Sequence, residues 1–292
     1  MSRILFFVFI IIVPICFFDY LIIVLLNINY IQFNMRIFFF AFFSLLCVGN
    51  LAAKIYPQTP EKTFVVVLDA GHGGKDPGAV GSSDAKREKD INLAITLEVG
   101  RLLQNNQKDI KVVYTRKTDV FLELGQRANI ANKEKADLFI SIHTNSQEKD
   151  VAKKAKGVQT YTLDLTNEST NLEVEKRENS VVKFEKNKGR DYSSGPEADI
   201  LFEVVQERDM RQSVAFAKIV QRQMINYAGR NDKGVRQANL AVLRLTYMPS
   251  VLIEVGYISN AEEEEFLMSN AGRNKMAMAI YKGIVEYKKQ QK

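Results

Sequence analysis

The polarity of the chain changes character near residue 54. Upstream, residues 4–18 are all apolar, 21–26 continue the theme, and a second run fills most of 37–49. Downstream, apolar residues fall into short groups with a recognisable period. Residues 64–68, 111–115 and 137–143 are β-branched or alternating runs of strand length, and 157–163 alternates as a fourth. Further strands are expected over 240–245 and 251–255. Between them, apolar spacing at three and four residues predicts helices over 90–103, 122–133, 167–183, 201–227 and 262–289. Asn260 stands where the last helix needs an N-cap, and Glu262 to Glu265 load its first turn with acid. Strands that alternate with helices predict an α/β domain with a mostly parallel sheet.

The upstream stretch reads as a targeting segment. Met35-Arg36 supplies a basic start, the Phe- and Leu-rich run an apolar centre, and Leu51-Ala52-Ala53 a small-residue exit, which together describe a secretory signal peptide over 35–53. Residues 1–34 are then an N-terminal extension from an over-long start, or a membrane anchor if Asp19 is tolerated within the span. Ser44-Leu45-Leu46 before Cys47 lacks the small residue usual before a lipidated cysteine. On either reading residues 54–292 form an exported body, periplasmic or in the cell envelope.

Composition narrows the chemistry. A net charge of +6 spread over 292 residues is a weak pointer to an anionic partner, and no motif points to nucleic acid. Both cysteines, Cys16 and Cys47, lie in the upstream stretch, so the body has no disulfide, no Cys-ligated metal and no thiol nucleophile. Only His72 and His143 are present. His72 follows the first strand in a glycine-rich loop and His143 ends the third, so both fall at the carboxyl edge of the sheet, where open α/β folds bind ligands. Two imidazoles with one carboxylate make a common zinc set with a position left for water. Glu88, at the start of the first helix, is placed to face the same edge. Glu254 sits within the apolar run 251–255, where a charge is costly without a partner or a task.

These residues carry a resemblance. Leu68-Asp69-Ala70-Gly71-His72-Gly73-Gly74-Lys75-Asp76-Pro77-Gly78-Ala79, Glu88, Ser141-Ile142-His143-Thr144-Asn145 and Ile253-Glu254-Val255-Gly256-Tyr257-Ile258-Ser259-Asn260 resemble the zinc-dependent N-acetylmuramoyl-L-alanine amidases. Shorter matches are Thr115-Arg116 with Asp119, Leu124 and Arg127, Arg177-Glu178-Asn179-Ser180, and Met248-Pro249-Ser250. Tyr257, where Phe is common, and Thr144, where a smaller residue is usual, are mild departures. The resemblance spans residues 64–287. It implies a single twisted sheet flanked by helices on both faces, and one Zn²⁺ per chain held by His72, Glu88 and His143, with Glu254 as the catalytic carboxylate. It also implies hydrolysis of the amide between N-acetylmuramic acid and L-alanine of peptidoglycan, in wall remodelling or daughter-cell separation. Asn145 and Arg116 are expected to orient substrate or to support the ligands, and Asp69 to support a ligand or end its strand.

Three other readings compete. A zinc-free peptidoglycan-binding regulator of the same fold should have lost a ligand or the glutamate, and here all four are present. A zinc peptidase acting within stem peptides lacks support from a His-Glu-x-x-His helix, and no Gly-x-Ser-x-Gly marks a serine hydrolase. Some relatives plug the zinc site with an inserted helix until a protein activator removes it. The corresponding residues, 183–199, have only Phe184, Tyr192 and Ala198 as apolar side chains and are broken by Gly189 and Ser193-Ser194-Gly195-Pro196. The expectation is a mobile loop with no internal plug, from which Glu185 or Glu197 could reach the metal.

Overall fold

The computed structural model describes residues 63–152, 154–164, 171–186 and 200–291. The expected extension over 1–34 and signal peptide over 35–53 lie outside them. In chain order the elements are β1 (Phe64–Ala70), α1 (Glu88–Asn106), β2 (Ile110–Tyr114), α2 (Leu124–Lys133), β3 (Leu138–Asn145) and the single turn α3 (Lys149–Ala152). Next come β4 (Val158–Leu163), α4 (Leu172–Asn179) running into a 3-10 turn (Ser180–Phe184), α5 (Ile200–Asn226), β5 (Asp232–Ala238) and the short α6 (Ala241–Arg244). The chain closes with β6 (Ser250–Tyr257), α7 (Ala261–Met268) and α8 (Asn270–Gln290).

The strands form one six-stranded sheet in the order β2-β1-β3-β6-β4-β5. Every pairing is parallel except β4 with β6. Side chains alternate across it. Val66, Leu68, Ile140, Ile142, Val251 and Ile253 face a layer that includes Ile91, Ile95 and Val99 of α1, Phe216 and Val220 of α5, and Ile280 and Ile284 of α8. Val67, Phe139 and Leu252 face the other way, onto a thinner layer with Leu124 of α2, Val174 of α4 and Val242 of α6. From β1 the chain leaves toward β2 on one side and returns to β3 on the other. The carboxyl ends of β1 and β3 therefore flank the switch point where such sheets open a crevice. The expected α/β class, with helices on both faces of a single mostly parallel sheet, holds.

Two expectations are corrected. Residues 240–245 are not a strand: Leu240 caps α6, whose Val242 and Leu243 tuck beneath the sheet. The strand is Asp232–Ala238, an edge strand in which only Ala238 is buried, which needs no apolar face and so shows no apolar alternation. The last helix is two, because Ser269 is extended (φ −76°, ψ 144°) and caps α8 by accepting from the Gly272 N–H. Asn260 does cap α7, taking the N–H groups of Glu262 and Glu263.

Candidate functional site

The loop after β1 is built under strain and clamped by two arginines. His72 adopts φ +59°, a left-handed conformation that L-residues avoid at a cost of about 1–2 kcal/mol. Arg127 holds it there, donating Nη2 to the His72 carbonyl (2.7 Å) and Nη1 to the Ala70 carbonyl (2.7 Å) and to Asp69 Oδ1 (2.8 Å). Asp69 also accepts from Thr115 Oγ1 and Ser141 Oγ, which ties the ends of three neighbouring strands together. Burial alone would raise the Asp69 pKa, but Arg127 and the two hydroxyls hold it below its ordinary value. Arg116 donates to the carbonyls of Ala70, Gly71, Thr118 and Lys89. Of its two expected roles Arg116 thus fills the supporting one, since its donors are turned to backbone behind the loop.

The same loop aims the imidazole. Asp76 Oδ2 lies 2.7 Å from His72 Nδ1, which keeps the proton on that nitrogen and leaves the Nε2 lone pair pointing inward. Directly before His72, Gly71 lies against the ring of His143, and a Cβ built there would overlap Nε2, Cε1 and Cδ2 of that ring. The His72 and His143 rings meet edge-on with centroids 4.8 Å apart. Glu88 enters from the start of α1, fully buried. Its Oε1 accepts from the Thr144 N–H (2.9 Å) and lies 3.2 Å from both His72 Nε2 and His143 Nδ1.

A fourth group completes the cluster. Glu178, near the end of α4, places Oε2 at 2.7 Å from His143 Nδ1 and 3.3 Å from His72 Nε2. The ligand-capable atoms of His72, Glu88, His143 and Glu178 all lie within 4.8 Å of one another, and all four residues are buried. Neither His72 Nε2 nor Glu178 Oε2 has a hydrogen-bond partner, although they are close. That is the behaviour of lone pairs aimed at a common centre and not at each other. A tetrahedral zinc with bonds of ~2.0–2.1 Å needs ligand atoms about 3.3 Å apart; three of the spacings, 3.2, 3.2 and 3.3 Å, suit it, while the 2.7 Å between Glu178 Oε2 and His143 Nδ1 is shorter. Burial opposes charge on Glu88 and Glu178, yet the adjacent imidazoles pull both carboxylates below their ordinary range. Burial lowers the His143 pKa, and Glu178 and Glu88 outweigh that to push it up to about 9.

Glu254 stands beside this cluster and outside it. Its backbone is in register with His143 across β3 and β6. Arg177 Nη2 donates to Oε1 at 2.6 Å, and Oε2 is buried without a partner. Burial raises its pKa to about 8 against the pull of Arg177, with Glu178 and Glu88 adding to the rise. Asn145 accepts from Arg177 Nη1 (2.8 Å) and donates to Gln159 Oε1 (3.2 Å), on the wall of a neighbouring cleft.

So the structure brings His72, Glu88, His143, Glu254 and Asn145 together. The expected mobile loop without a plug over 183–199 lies mostly outside the described residues; the helix before it, α4, lays Glu178 on the histidines and Arg177 on Glu254. Glu185 does not reach the cluster; its Oε1 instead accepts from the Leu124 N–H at the start of α2. Glu197 lies outside the described residues. In the sequence Arg177-Glu178-Asn179-Ser180 belongs to the family resemblance but points to no role of its own, because the helix reads as charged. The available signal was that Glu178 shares a helix face with Val174 and, through the following turn, Val181, both buried.

The comparisons agree with this geometry. The family model described as N-acetylmuramoyl-L-alanine amidase matches residues 66–286. The amidase AmiA of Escherichia coli (strain K12) is 34% identical over 225 residues, covering 76% of this chain and 75% of that one. The catalytic domain of CwlV, an N-acetylmuramoyl-L-alanine amidase from Bacillus (Paenibacillus) polymyxa var. colistinus, superposes with a TM-score of 0.58 at 36% identity. That match covers 77% of this chain and 98% of that one. The CwlD amidase of Clostridioides difficile, solved in complex with the GerS lipoprotein, gives a TM-score of 0.58 at 28% identity, over 78% and 99% of the two chains. Sheet order, strand-end histidines and the matched span thus lead to one conclusion: this chain belongs to the N-acetylmuramoyl-L-alanine amidase family and is an enzyme of that class.

Proposed function

We propose that the chain is a zinc-dependent amidase in which His72, Glu88 and His143 hold one Zn²⁺ and Glu254 moves the proton. The observation that carries this is the buried set of donors spaced for a tetrahedral ion, two of them lacking any other partner. A zinc ion held there would supply Lewis acidity at neutral pH. Glu254 is the group that would take a proton from the attacking water and return it to the leaving amine of L-alanine. A proton affinity raised by burial suits a group that must both accept and return a proton. Asp76 fixes the His72 tautomer, and Arg116 and Arg127 hold the loop that presents it.

In the described conformation α4 keeps this machinery idle. Glu178 lies against both histidines, where it would keep water out, and Arg177 pairs with the base. The helix is fastened by Asn179, which donates to the Asn239 carbonyl and accepts from the Ala241 N–H, and by Glu175, which accepts from the Asn239 N–H. Turnover requires α4 to withdraw, and a protein activator is the natural agent; the complex of CwlD with a lipoprotein supports a partner of this kind. We assign the substrate bond to the muramyl–L-alanine amide of peptidoglycan, in wall remodelling or daughter-cell separation, and the chain to the cell envelope. Among the described residues no helix is long and apolar enough to cross a membrane. The signal-peptide reading puts the mature start near Lys54.

Metal content and turnover together test the assignment. Glu254→Gln should keep one zinc per chain and lose at least about a hundredfold in rate, whereas His72→Ala and His143→Ala should lose the metal. Near-normal turnover by Glu254→Gln, or full zinc in both histidine variants, overturns it.

A further inference from the structure

Beside Glu254 a cleft of about 380 Å³ opens at the edge of the sheet. Its floor is a hydrogen-bonded group in which Gln159 Oε1 accepts from Asn145 Nδ2 (3.2 Å), Tyr161 Oη (3.2 Å) and Tyr257 Oη (3.0 Å). Gln159 faces Glu254 directly across the antiparallel β4–β6 pair, which sets this wall of the cleft next to the proposed base. Its far wall is β5, which contributes Lys233 and Arg236, the latter in register with Tyr161. Arg236 makes only long bonds to neutral acceptors, 3.3 Å each to the Lys233 carbonyl and Asn171 Oδ1. Among the described residues neither cation forms an ion pair. Glu173 is the one acid on the lining, and it belongs to α4, which must withdraw for turnover.

We propose that this cleft takes the peptide side of the substrate, and that Lys233 and Arg236 select a carboxylate on it. The inference rests on the amidase reading above. Forming the scissile amide consumes the lactyl carboxyl of the muramic acid, so the glycan beside that bond offers no charge to two cations, while a peptide with acidic residues does. Geometry sets the position. From β6 to β5 is two strand spacings, about 10 Å, and an extended peptide advances about 3.3 Å per residue. The cations reach back across part of that distance, so the selected carboxylate lies within the three residues that follow the alanine that is released.

The contact is remote from the reacting atoms and is made equally before and during reaction, so its loss should raise KM and leave kcat nearly untouched. The test uses the full zinc-loaded chain carrying Glu178→Gln, which releases α4, and two soluble muropeptides, one with free carboxylates at the second and third residues and one with both amidated. This protein should prefer the acidic muropeptide by about tenfold in kcat/KM. Adding Lys233→Gln and Arg236→Gln should bring the two within about twofold of each other. Equal use of both muropeptides before the lysine and arginine are replaced overturns the proposal and leaves the amidase reading standing, as does a preference that survives their replacement. If neither muropeptide is cleaved although purified peptidoglycan is, this inference fails alone; if peptidoglycan is untouched as well, the amidase reading fails and this inference fails with it.

Discussion

Replacing Glu178 by Gln should switch the enzyme on without any partner. The carboxylate is buried, lies 2.7 Å from His143 Nδ1 and 3.3 Å from His72 Nε2, and accepts from Arg177 Nε at 2.7 Å. Glutamine preserves the volume and an acceptor for Arg177, so the substitution removes chiefly the charged contact with the imidazoles. A close ionic contact of this kind is worth about as much as a hydrogen bond to a charged group, roughly 1.5–3 kcal/mol, and each 1.4 kcal/mol is a factor of ten, so the open form should gain roughly ten- to a hundredfold. The Asn179 and Glu175 anchors remain and keep the gain from being larger. Release of labelled fragments from purified peptidoglycan, measured with metal content and no added protein, reads the effect. A rise in rate at full metal occupancy is expected. An unchanged or lower rate at full occupancy, or loss of the metal, would refute the role given to α4.

Two further predictions concern the scaffold. Asp69 has a pKa held below its ordinary value of 3.8, so its contribution is complete above that value and is lost as pH falls through the lower, folded value. Asp69→Asn should cost about 3–5 kcal/mol at pH 7 by stranding Arg127; urea midpoints should show that gap closing as the pH is taken below 3.8, and a gap independent of pH would count against the ion pair. Gly71→Ala should leave a folded protein, checked by circular dichroism, that binds zinc at least about tenfold more weakly, because the added methyl displaces the His143 ring. Unaltered zinc affinity would mean that the loop absorbs the methyl without moving the ligand.

Much of this was legible in the sequence because the relevant signals are local. Buried parallel strands announce themselves as continuous β-branched runs, and a histidine directly after such a run must emerge at the ligand-binding edge. Glu254 was conspicuous because an acid in an apolar strand has a cost that demands a reason. What stayed hidden depends on contacts across space. The strand at 232–238 is an edge strand whose exposed positions carry no apolar alternation, while the apolar 240–245 buries its side chains as a helical turn. Glu178 lies in a helix whose charge resembles a solvated face, and only the folded arrangement turns that acid inward. Arg127 is almost fully buried through long-range bonds to backbone carbonyls, which no spacing rule foretells.

The central claim is that this chain cleaves the amide joining muramic acid to L-alanine, by means of the His72, Glu88, His143 and Glu254 cluster. Its most direct test is mass analysis of the products released from purified peptidoglycan by the zinc-loaded Glu178→Gln protein, with the same protein carrying Glu254→Gln as control. The account predicts intact stem peptides with a free L-alanine amino group, glycan strands left with unsubstituted lactyl carboxyls, and neither product from the control. Peptides cut at internal bonds, or the same products from the control at a similar rate, would contradict it.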